Sequence, residues 1–390
     1  MTVTNKFVQF GCWNQGLCGN ESVPLTKIMH SLKTFTHKEN PDFIVVAGDN
    51  YYPGKVKNKV TGEKIKTIVP TDLAAGFACL PKDVPIDMLL GNHDLETNMY
   101  ISGRTDKETD CFITQEEIAL AVPNHIDLVV HKKRLLGSEQ HTLLLLIDTS
   151  MYDDDDVAVM LPCYKKMTGY EGITSKEELR SQQLHFIQEA VTAFQGENII
   201  LIGHHPITGY KLKKDKIKLI DAFPSFLAML SNLFALKGDS VQYYYLCADL
   251  HLYQEGTVTL TVGERNMKIQ QYIVGTGGTE LDPDPKTGFQ LNKVFKTQAD
   301  VDGGVYTMTQ PQQDNSVREF GFLIGDYTSA KLHFEFKKVP MDLKGGKKSR
   351  RTRKKSRRTR KKSRRTRKVK HRRYIRAKRF KALERYIYTL

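Results

Sequence analysis

The chain has 390 residues, 40% of them hydrophobic, which is enough apolar material for one large core or two small ones. Its formal charge of +15 is uneven: 25 of the 59 Lys and Arg fall in residues 344–390 beside one acid, Glu384, leaving 34 basic against 43 acidic residues before them. No run approaches the ~18 consecutive apolar residues of a membrane span, and MTVTNKFVQF lacks the parts of a secretory signal, so a soluble, intracellular protein is expected.

In chain order, residues 7–13, 43–48, 86–91, 126–131, 143–148 and 199–203 each read as a short buried strand bounded by Gly, Asp, Asn or Pro. Between the last two, Ser175 followed by Glu178 is a capping-box signature. Leu179, Leu184, Ile187, Ala190 and Val191 then form a helical apolar stripe. A second helix is expected over 223–236. The stretches VQYYYLCADLHLY, KIQQYIVGTGG, GFLIG and AKLHFEFKK follow with little helix between them, which predicts more antiparallel β in this part. Strands alternating with helices and then consecutive strands imply a layered α/β fold with more than one sheet. The six cysteines (Cys12, Cys18, Cys79, Cys111, Cys163 and Cys247) show no C-x-x-C spacing and are expected to be mostly reduced and structural.

After residue 342 the composition changes. KKSRRTR repeats three times in tandem behind Gly345 and Gly346, with no apolar residue to bury, so residues 343–370 are expected to be a disordered basic tail. Residues 371–390 regain Tyr374, Ile375, Phe380, Leu383, Tyr386 and Ile387 and suit a basic amphipathic helix. Such a tail would bind nucleic acid or another polyanion through phosphate contacts, without sequence preference. It is also compatible with nuclear import or with packaging in a viral particle.

Four polar clusters end buried runs: GDNYY (48–52), GNHD (91–94), GHHP (203–206) and ADLH (248–251). Alone, GDN is more often a turn, and the others have plain readings as a loop, a helix start or a surface turn. Converging strand ends gather such side chains into one pocket, and mixed Asp, Asn, His and Tyr donors suit Fe, Mn or Zn.

With GCWN at 11–14 placed first, these clusters resemble the five ordered motifs of the calcineurin-like metallophosphoesterases, in particular the purple acid phosphatase type. There they read approximately GDWG, GDNFY, GNHD or GNHE, GHxP and GHxH. The resemblance covers about residues 5–337 and implies a domain over 1–342 with an α/β four-layer sandwich, two mixed β-sheets face to face with helices outside. It also implies two metal ions, Fe, Zn or Mn, and hydrolysis of a phosphate monoester by a metal-activated water. Asp49 would bridge the ions; Cys12, Tyr52 and His251 would bind the first, and Asn92, His204 and Asp249 the second. His93 would serve the leaving oxygen of a phosphorylated substrate, and His205 would orient its phosphate.

Two motifs depart from the family pattern, Cys12 standing for an aspartate and Asp249 for a histidine. A thiolate tilts the first site toward softer ions, and a carboxylate tilts the second toward harder ones. The alternative is a catalytically impaired binding module in which Cys12 is a small buried hydrophobe and the tail binds nucleic acid. The sequence leaves the oligomeric state open.

Overall fold

The computed structural model describes residues 5–57, 64–96, 99–101, 104–109, 122–154, 157–167, 169–213, 216–220, 223–262, 264–282, 290–295, 304–309, 319–328 and 331–341. The chain divides into two units, Met1–Pro340 and Met341–Leu390. The basic repeat and the helix expected over 371–390 lie outside the described residues.

The first unit is built on two mixed sheets. One has six strands, in the order His333–Val339, Phe320–Asp326, Lys6–Phe10, Phe43–Ala47, Ile86–Leu89 and Ile126–Leu128. The last four run parallel, and Phe320–Asp326 joins Lys6–Phe10 antiparallel. The other has eight strands. Its parallel centre is Arg265–Val274, Gln242–Cys247, Asn198–Ile202 and Thr142–Ile147. Antiparallel strands flank this centre: His131–Leu136 on one side, and Tyr253–Val262, Gly304–Thr309 and Gln290–Phe295 on the other.

The parallel strands are nearly continuous apolar runs, FIVVA, TLLLLI and NIILI, because both of their faces are covered. Phe7, Val45 and Leu89 of one sheet share a core with Leu144, Ile200 and Leu246 of the other. Helix Pro24–Glu39 packs on Phe320–Asp326 and His333–Val339, and helix Lys176–Ala193 packs on Thr142–Ile147 and on helix Pro224–Lys237. The order is therefore helix, sheet, sheet, helices.

Helix Lys176–Ala193 starts as the capping signature predicts: the Ser175 side chain accepts from Glu178 N at 3.2 Å. The reciprocal bond shifts by one residue, with Glu178 Oε2 accepting from Thr174 N at 2.9 Å. Other features depart from expectation. The run 126–131 is not one strand; Ile126–Leu128 closes the six-stranded sheet, and His131–Leu136 opens the eight-stranded one. Two small sheets were not anticipated: the hairpin Gly209–Lys213 with Lys216–Ile220, and the set Gly54–Lys57, Lys64–Ile68, Met99–Ile101 and Arg104–Thr109.

The expectation of mostly reduced cysteines also needs correcting. Cys18 and Cys79 form a disulfide, and Cys163 is disulfide-bonded, whereas Cys12 and Cys247 are free and buried. The cause is tertiary. The loop after the first strand meets the end of helix Pro70–Ala78, which brings together two cysteines 61 residues apart in sequence. Among the described residues, no helix is long and apolar enough to cross a membrane.

Candidate metal centre

The expected site residues follow the carboxyl ends of parallel strands, where open α/β sheets place their ligands. Lys6–Phe10 leads to Cys12, Phe43–Ala47 to Asp49 and Tyr52, and Ile86–Leu89 to Asn92 and His93. From the facing sheet, Asn198–Ile202 leads to His204 and His205, and Gln242–Cys247 to Asp249 and His251.

The turns that deliver them are tight. Cys12, Asp49 and Asp249 all adopt left-handed backbone, with φ of 51°, 54° and 53°. That conformation is uncommon for residues other than glycine, although Asp tolerates it better than most. Three such residues at one point mark a place where the fold holds local strain. Gly48 is needed for the same reason: a Cβ there would stand 2.6 Å from His204 Nδ1 and 2.7 Å from Gly91 N.

Two groups of donors result. In the first, Cys12, Asp49 and His251 each offer an atom, all within 4.8 Å of one another. The Tyr52 hydroxyl joins them, donating to Asp49 Oδ2 at 2.8 Å and lying 3.1 Å from His251 Nε2. In the second, His204, His205 and Asp249 meet the same criterion. His204 Nε2 is 3.2 Å from both Asp49 Oδ1 and Asn92 Oδ1, and 4.0 Å from Asp249 Oδ1. Asp49 therefore touches both groups, one oxygen to each.

His204 Nδ1–H donates to Ala47 O at 2.7 Å and His251 Nδ1–H to Glu280 O at 3.0 Å, so both imidazoles turn Nε2 toward the cluster. Backbone carbonyls hold metal-ligating histidines in this way. Burial pushes the Cys12 thiol well up, and the negative charges of Asp49 and Asp249 push it further. Burial raises Asp249 as well. Asp49 moves the other way: burial opposes its ionisation, but the charge and hydrogen bond of His204 hold it below the usual carboxylate range. His204 is pushed up to about 9, because Asp49 overcomes the penalty of burying its charge. These shifts favour protons on Cys12 and His204 that a bound cation would have to displace, and the set of thiol, carboxylate, imidazole and phenol donors fits metal ions.

His93 lies at the edge of the pocket. Its backbone N–H donates to Asp49 Oδ1 at 3.2 Å, and its Nδ1 is 2.6 Å from Glu96 Oε1. Glu96 in turn pairs with Lys66. Burial disfavours the imidazolium, yet the Glu96 bond leaves His93 raised. His205 is buried. Thr149 Oγ1 accepts from the backbone N–H of His204 at 3.0 Å and of His205 at 2.8 Å, and stands 3.2 Å from His205 Nδ1. Burial and the neighbouring His204 charge keep His205 neutral.

Sequence reasoning missed these supports, namely Glu96, Lys66 and Thr149. Only Glu96 carried a local signal, as a carboxylate three residues past a histidine. It also left Asp94 unassigned. Asp94 is wholly buried, accepts from Gly91 N and Asn50 Nδ2 at 2.8 Å each, and thereby ties the GDNYY turn to the GNHD turn.

A family model for calcineurin-like phosphoesterases matches residues 6–253. No curated protein matches the chain. Similar solved structures include one titled "Structure of PhoD", at 12% identity and a TM-score of 0.45, covering 87% of this chain and 72% of that one.

Proposed function

The chain belongs to the calcineurin-like phosphoesterase family, and we propose that it hydrolyses phosphate monoesters in a metal-dependent reaction of the purple acid phosphatase kind. The observation that carries this reading is the common aim of His204 and His251, each fixed through Nδ1 so that Nε2 meets an Asp49 oxygen or its Tyr52 partner. Cys12, Tyr52 and His251 would hold one ion, Asn92, His204 and Asp249 a second, with Asp49 shared. Fe, Zn or Mn suits these donors. When bound, paired cations lower the pKa of water and neutralise charge on a phosphoryl group in transfer.

The chain's own residues supply orientation and protons. Glu96 accepts from His93 Nδ1–H, which sets the imidazole at the pocket mouth, where it can protonate the leaving oxygen. The Thr149 hydroxyl, given to His205 Nδ1, leaves Nε2–H of His205 as a neutral donor for a phosphate oxygen. The Cys18–Cys79 disulfide favours an oxidising setting. Of the locations expected from the sequence, a viral particle fits that preference better than the nucleus.

Metal analysis paired with an aryl phosphate assay tests the reading. Near-stoichiometric Fe, Zn or Mn with turnover is expected, and His93→Asn should lower kcat by about 10²- to 10⁴-fold. Absence of both metal and turnover across several added ions would sink it. One observation favours a second reading, a phosphate-binding module without turnover: Cys12 is fully buried and packs in the hydrophobic core cluster as well as beside Asp49. Phosphate binding with no hydrolysis of any ester would select that reading.

A further inference from the structure

The two unanticipated hairpins share an unusual pattern. In one, Lys55 pairs directly with Lys66 and Lys57 with Lys64. In the other, Lys211 pairs with Lys218 and Lys213 with Lys216. Strand alternation puts the four lysine positions of each hairpin on a single face. Like charges placed directly opposite are unfavourable. Lysine stands opposite lysine at four paired positions, within a 343-residue body where acids outnumber bases.

Each hairpin also reaches the candidate centre through a carboxylate. Lys66 pairs with Glu96, which holds His93. Lys211 Nζ is 3.6 Å from Asp282 Oδ2, and the same oxygen accepts from His251 N at 3.2 Å. The two lysine faces are thus tethered to different histidines of the centre. Of the positions that alternate with the lysines, Tyr210 and Thr67 are buried, while Lys218 is exposed.

We propose that the two lysine faces bind the backbone of a single-stranded nucleic acid whose terminal phosphate monoester enters the centre. The proposal rests on the phosphomonoesterase reading above and names its substrate class. Lysines two apart on a strand stand about 6.7 Å apart, so each face offers a ladder of cations to a linear chain of phosphates. The anions of such a strand would relieve the cross-strand repulsion, and an end is the part of a strand able to enter a pocket of buried donors. In the reaction, the P–O bond to the terminal sugar breaks, the water oxygen bonds to phosphorus, and a proton from that water ends on the sugar oxygen.

The test uses the full, metal-loaded chain and follows phosphate release from a terminally phosphorylated DNA oligonucleotide and from an aryl phosphate. The quadruple variant Lys55→Ser, Lys57→Ser, Lys213→Ser, Lys218→Ser spares Lys66 and Lys211, which contact the centre's carboxylates. The oligonucleotide should have a KM at least about tenfold below that of the aryl phosphate at low salt, rising with salt. With the basic tail present in both proteins, the variant should raise the oligonucleotide KM relative to the parent, and the salt slope should fall by about 0.7 for each phosphate contact removed. Arginine at the same four positions should restore both, which separates lost charge from a misfolded hairpin. An oligonucleotide KM and salt slope unchanged in the serine variant overturns the proposal, as does a stronger preference for inorganic polyphosphate, a phosphopeptide or duplex DNA. Aryl phosphate turnover without any preference for the oligonucleotide overturns the proposal and spares the phosphomonoesterase reading. If no ester is turned over, that reading fails, and oligonucleotide binding by anisotropy decides the surface: a lower slope in the variant sustains it, and equal slopes overturn it.

Discussion

Cys12 combines three properties that seldom occur together: left-handed backbone, full burial, and an Sγ only 3.8 Å from Asp49 Oδ2. Aspartate suits that backbone better than cysteine, and its carboxylate would add charge where Asp49 and Asp249 already crowd. Cys12→Asp should therefore melt at a lower temperature than the parent in chelator, yet hydrolyse an aryl phosphate about tenfold faster when loaded. Slower turnover in the loaded variant would identify the thiolate as a working ligand.

A second residue sets a pH dependence of stability. Asp148 accepts from Ser150 N at 2.8 Å and from the Tyr164 hydroxyl at 2.7 Å. Burial pushes it from an ordinary 3.8 up to about 6, the Tyr164 bond pulling the other way. Between those values the folded chain keeps a proton that the unfolded chain has lost. Its contribution is thus fully present below about pH 4 and lost as the pH rises through about 6. Asp148→Asn cannot ionise and should flatten that part of the stability curve by about 2–3 kcal/mol. Denaturant melts at pH 4 and pH 7 check this, and parallel curves for the two proteins would contradict it.

At the scale of elements, the two sheets are clasped at one edge by charge. Asp87, buried in Ile86–Leu89, meets Lys132 Nζ and Arg134 Nη2 at 2.6 Å each, both from His131–Leu136 of the opposite sheet. Asp87→Asn keeps the shape but leaves two cations facing a neutral amide. The expected cost is about 2 kcal/mol, below that of a fully buried pair because both cations reach solvent. Urea denaturation with an unshifted midpoint would show that the clasp contributes nothing. This edge also explains why one predicted strand became two. Residues 126–131 are uniformly strand-like, and nothing local says that Val129 and Val130 cross from one sheet to the next. Helix Pro24–Glu39, by contrast, has a local signal: Leu25, Ile28, Met29, Leu32 and Phe35 carry a helical spacing behind a proline in its first turn. The strand-end clusters were readable because a ligand must follow a buried run. The Cys18–Cys79 bridge and the Glu96–Lys66 pair were not, since only the folded loops define them.

At the scale of the whole molecule, neither sheet holds all of the candidate donors. Cys12, Asp49, Tyr52 and Asn92 come from loops of the six-stranded sheet; His204, Asp249 and His251 come from those of the eight-stranded one. A cation at the centre would join the sheets as it binds. Metal at about 1,000 times its Kd should then stabilise the fold by about 4 kcal/mol, read as a higher Tm than in chelator; identical melts would mean that no ion bridges the sheets. The topology has a further consequence, for synthesis. Strand Lys6–Phe10 lies between Phe43–Ala47 and Phe320–Asp326. The whole stretch from Phe10 to Phe320 must therefore leave the ribosome before that strand gains its second neighbour. Until then that strand carries an open edge, and so distant a pairing is slow to form. The nascent protein is thus exposed to mispairing with other chains while that stretch is made, a cost a chaperone would have to cover.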